Sequence, residues 1–138
     1  MTMVVVTGSA DEGVAGSDSG PGGHEEPAHV EPIVGSDVAR VTLTEKAAER
    51  IDVQTTPVVL AGRNRARLVV PYAALLYDPS GKTWVYTNPD DLVFERAEVT
   101  VESIRGDRVF IDRGPQAGTD VVVVGPAELW GAEFGVGH

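Results

Sequence analysis

The chain has 138 residues, 42% of them apolar and 23% charged, with a mean hydropathy of −0.04, which is material for one core and one small domain. Eleven basic against 21 acidic side chains leave a net charge of −10, which argues against nucleic acid or anionic lipid as the main partner. The absence of cysteine removes disulfides, thiolate ligands and a cysteine nucleophile, and the longest apolar run, 68–77, holds Pro71 and is too short to span a membrane.

The charge is unevenly placed. Residues 1–37 contain seven acids, no Lys or Arg, seven of the 16 glycines, three of the nine prolines and no aromatic residue. Such a segment cannot bury enough apolar surface to offset its ordering entropy, so a disordered acidic tail is expected over 1–37. Residues 38–138 hold 14 acids and all 11 bases, a net of −3. The run Met3 to Val6 has no basic residue before it and is too short for a secretory signal, so a signal or anchor lies outside this sequence or the chain starts in the cytoplasm. Gly8, Gly13 and Gly16 miss the G-x-G-x-x-G spacing, which leaves a linker rather than a dinucleotide loop.

From Val38 the patterning is that of a folded chain. Arg40 to Thr44 alternates as a half-buried strand does, and Thr44 then caps a short helix with Ala47, Ala48 and Ile51 on its apolar side. A strand follows over 52–60, with Pro57 indicating an edge, then a turn at Gly62 to Asn64 and a strand over 65–70. Pro71 opens a short helical segment over 72–77 that brings Leu75 and Leu76 to the core. Turns at Asp78 to Gly81 and Asn88 to Asp91 flank a strand over 82–87. Val93 to Ile104 is read as a long strand with Ala97, Val99 and Val101 on one face and Arg96, Glu98, Thr100 and Glu102 on the other. Strands at 108–112 and 121–124 follow, then a helical turn over 126–130. Turn signals at this spacing predict an all-β fold: a small antiparallel β-barrel or β-roll with one or two short helices, preceded by the tail.

Candidate chemistry is confined to the histidines. His24, Glu25, Glu26 and His29 place two imidazoles and two carboxylates within six residues, a set compatible with weak Zn, Cu or Ni binding, while a plain solvated linker is the competing reading. Residues 30–137 contain no histidine, so no Ser-His-Asp constellation is available there, and Asp90 and Asp91 read as turn residues. No enzymatic activity and no cofactor are expected.

The order of several segments resembles a known family. Val70-Pro-Tyr-Ala-Ala-Leu-Leu-Tyr-Asp-Pro-Ser-Gly-Lys-Thr-Trp-Val-Tyr86, then Phe94 to Val101, Gly106 to Ile111 and Gly114 to Val122 are similar to the membrane-proximal domain of periplasmic adaptor subunits, or membrane fusion proteins, of resistance/nodulation/division efflux pumps. Val41 to Ile51 resembles the strand and helix that open the mature adaptor. In a complete adaptor a lipoyl-like domain, a β-barrel and usually a helical hairpin separate these parts, whereas here only Pro57 to Leu68 does, so the chain looks like an adaptor reduced to its membrane-proximal part. The resemblance implies a non-enzymatic accessory module in the periplasm or cell envelope, docking on the inner-membrane efflux transporter, with homo-oligomer formation as a further option. Arg63, Arg65 and Arg67 alternate and suit an acidic partner surface or a solvated edge, and Trp130 and Phe134 suit an exposed anchor or core packing. The alternative is a small extracytoplasmic metal-binding or carrier protein using His24 to His29.

Overall fold

The computed structural model describes residues 27–36, 38–62 and 65–135. The strands are β1 (Ala28–Pro32), β2 (Ala39–Leu43), β3 (Gln54–Pro57), β4 (Val59–Ala61), β5 (Arg67–Pro71), β6 (Leu76–Tyr77), β7 (Thr83–Asp90), β8 (Val93–Arg105), β9 (Arg108–Arg113) and β10 (Asp120–Val124). Helix α1 (Glu45–Ile51) follows β2, and α2 (Pro126–Phe134) follows β10. The strands pair antiparallel in the order β3-β10-β7-β8-β9-β5-β4, with β2 joining β8, β1 joining β2 and β6 joining β7.

The two ends of that order, β3 and β4, are consecutive in the chain and separated only by Val58. A single kinked run therefore forms both ends of the sheet, which curls into a half-barrel. Val58 is buried at the seam, where its N–H donates to Thr119 O and its carbonyl accepts from Gly118 N, both at 2.8 Å.

Strand alternation then builds two cores. One lies inside the roll, from Val58, Val70, Val85, Val99, Val109, Ile111 and Val121. The other lies under the helices, from Val41, Leu43, Ala47, Tyr86, Phe94, Val122 and Leu129. Strands β7, β8 and β10 supply both, which is why β10 is a continuous valine run rather than an alternating one.

The all-β expectation is borne out, and several local expectations are refined. Thr44 caps α1 as its pattern predicts, accepting from Ala47 N at 3.0 Å. Pairing begins before Val38, because β1 lies against β2 from Ala28↔Leu43 to Pro32↔Ala39. Four of its five residues are exposed, so backbone pairing and not apolar burial holds β1, a contribution that composition does not register. The strand expected over 52–60 divides at Val58, and the segment after Pro71 is a 3₁₀ turn at Tyr72–Ala74 followed by β6. Strand β7 continues through Asn88 with a bulge, its side-chain amide donating to Asp90 O and Val93 O, so the turn shifts to Asp91 and Leu92. Helix α2 runs past Trp130 to Phe134.

Candidate functional site

The face of β8 that Arg96 shares with Glu98, Thr100 and Glu102 is not uniformly solvated: Arg96 is 8% exposed. It lies opposite Tyr86 in the β7–β8 ladder, beneath α2, because this half of β8 is covered on both faces. Its Nε donates to Glu133 Oε1 and an NH2 group to Glu133 Oε2, each at 3.0 Å. Tyr86 donates its hydroxyl to Glu133 Oε1 at 2.7 Å, and Ala39 N donates to Oε2 at 3.2 Å. The guanidinium is also stacked against aromatic rings, 4.1 Å from the centroid of Trp84, 4.9 Å from Phe134 and 5.5 Å from Trp130. One carboxylate thus joins β2, β7, β8 and α2, and burial together with the Glu133 charge pushes the Tyr86 phenol well above its ordinary range. Sequence reasoning missed this clasp, although the apolar character of Trp84, Val85 and Tyr86 in succession is the signature of a strand buried on both faces.

Trp130 and Phe134, one helical turn apart, stack at 4.6 Å between ring centroids. Trp130 packs on the second core, whereas Phe134 is 46% exposed. Arg65 and Arg67 are brought together on Glu102, at 3.2 and 3.5 Å. Arg63 lies outside the described residues, as do His24, Glu25 and Glu26. His29 is exposed on β1, opposite Thr42, and among the described residues no three His, Asp or Glu side chains converge as a metal site. Asp90 is the last residue of β7 and Asp91 the first of the turn, with Asp90 Oδ1 accepting from Asp91 N at 2.8 Å. No helix among the described residues is long and apolar enough to cross a membrane.

A second polar anchor fixes the turn before β7. Asp78 Oδ1 accepts from Ser80 N, Ser80 Oγ and Lys82 N, and Oδ2 accepts from Trp84 Nε1 at 3.0 Å. The indole bond, with the Ser80 and Lys82 donors behind it, draws the Asp78 carboxyl down to about 2.

The segment that builds β5 through the start of α2 also carries the family signal. Residues 67–127 match the family model for RND MFPs, C-terminal permuted SH3 domain. Over that stretch the chain is similar to a domain of RND membrane fusion proteins. This family supplies adaptor domains of efflux systems and is of the non-enzymatic adaptor type, and its RND adaptor homologues are periplasmic. The chain is also similar to a solved structure, the NMR structure of a 180-residue segment encompassing the N-terminal metal-binding site and the membrane proximal domain of SilB from Cupriavidus metallidurans CH34. Identity is 26%, the TM-score is 0.47, and the match covers 61% of this chain and 49% of that one, about half the SilB segment. No curated protein matches the chain.

Proposed function

We propose that this chain is an adaptor module of an efflux transporter, acting without catalysis through protein contact with the inner-membrane transporter on the extracytoplasmic side. The observation that carries this reading is the fusion-protein match over 67–127, which spans β5 to β10 and the start of α2. A clasped roll of this kind presents fixed side chains on a rigid sheet, and recognition by pre-organised surfaces loses little entropy on binding. The test is co-purification of the intact chain with its RND-type transporter in detergent. Retention of the domain on immobilised transporter is expected, and failure of the folded domain to associate under any salt condition overturns the reading.

A further inference from the structure

We propose that the outer face of β4, β5, β9 and the end of β8 is the surface that meets the transporter, and that it receives an acidic patch of that partner. The inference rests on the adaptor reading above and assigns it a face and a chemistry. Register places Val59, Val69, Phe110 and Ser103 side by side across the four strands. Their neighbours Val70, Val109 and Ile111 point into the roll, so this row points outward. Val69 and Phe110 belong to neither core cluster yet are buried, 5% and 8% exposed, with Arg105 and Arg108 over the Phe110 ring, so the accessible part of the row is Val59, 47% exposed, and the arginines around it.

Arginines fence this apolar row on both sides. At the hairpin end, Arg105 and Arg108 lie opposite each other, with guanidinium carbons 5.7 and 5.2 Å from the Phe110 ring centroid. Among the described residues neither has a carboxylate within ion-pair distance. On the other side Arg65 and Arg67 share the single carboxylate of Glu102. Counting Asp112, two residues beyond Phe110 on β9, the face carries Arg65, Arg67, Arg105 and Arg108 against Glu102 and Asp112, and so stays positive in a chain whose net charge is −10. Arginine and aromatic side chains around a sheltered apolar centre are the composition of interface hot spots.

A second observation points to the same face. Among the described residues, the two buried side-chain polar atoms without a hydrogen-bond partner are Arg67 Nε and Ser103 Oγ. Arg67 lies beside the row, two residues before Val69, and Ser103 is its last member, opposite Phe110. Buried polar atoms left unmatched cost free energy, so this part of the face has polar capacity that the chain itself does not use; both atoms are sealed from solvent, and the exposed guanidiniums of Arg65, Arg105 and Arg108 are the donors that a partner's carboxylate meets.

The test uses the absence of native cysteine. Single substitutions Val59→Cys and Asp112→Cys on this face, with Glu49→Cys on α1 and Glu128→Cys on α2 as controls, carry a photoreactive cross-linker in membranes holding the transporter. Cross-links to the transporter are expected from positions 59 and 112 and not from 49 or 128. Reversing Arg105→Glu and Arg108→Glu together lowers their yield by about tenfold and neutral Arg105→Gln and Arg108→Gln fall between, while circular dichroism and a cooperative melt show that each variant remains folded. Transporter cross-links only from 49 or 128, products only with lipid or a second copy, or an unchanged yield after charge reversal overturn the assignment of this face and leave the adaptor reading standing. No transporter product from any of the four positions overturns both.

Discussion

Arg96 and Glu133 form an ion pair in which both side chains are withdrawn from water, 6% and 2% exposed, with 3.0 Å between Nε and Oε1. Removing one partner leaves an uncompensated charge in a low-dielectric site. Glu133→Ala is expected to cost about 3–5 kcal/mol of stability, and replacing both residues together with apolar ones of similar volume to cost much less. Urea denaturation of the single and double variants measures the difference. Additive losses would show that the clasp is not a coupled unit.

Gly125, the residue before α2, holds φ at +96°, and a Cβ there would overlap Ile51 Cγ2. Gly125→Ala therefore strains the backbone and forces α1 away from α2, with an expected loss of about 1–3 kcal/mol or more. Gly118→Ala, also at positive φ but with open space around it, is the comparison, and equal losses would dismiss the contact.

The Asp78 carboxyl titrates in the folded protein at about 2, below its ordinary 3.8. A lowered folded value means that the stabilising contribution is complete above roughly pH 4 and disappears as pH falls towards 2. The Trp84 indole N–H resonance follows this directly, because its acceptor is Asp78 Oδ2. A midpoint near 4 in the folded state would contradict the prediction, and Asp78→Asn is expected to abolish the transition.

Tyr86 moves in the opposite direction. Burial, followed by its bond to Glu133, raises its pKa above the ordinary 10, so its contribution is intact below pH 10 and is lost as pH climbs beyond that value. Comparison of the intact chain with Tyr86→Phe by ultraviolet titration should show one additional tyrosinate in the intact chain, appearing only with unfolding. Its appearance in the native state would refute the burial argument.

The fold was legible in the sequence because alternation and turn chemistry act locally. Thr44, Pro71 and the Asp78 to Gly81 turn each occur at the element boundary that their chemistry predicts. Arg96 was not legible, because alternation reports which side chains share a face and not what covers that face. Here α2 covers it, and the charge is matched by a glutamate 37 residues away. The row from Val59 to Ser103 was equally hidden, since it exists only once four strands are in register.

The hairpin of β4 and β5 has a consequence for how such chains are assembled. Ala61 and Arg67 stand opposite each other in the ladder, so the backbone leaves the roll and re-enters it at one place. Closing a longer excursion between them costs only about 0.6 kcal/mol for each doubling of its length. The hairpin is therefore a splice point, at which whole domains can be added or removed while the threading of every other strand stays the same.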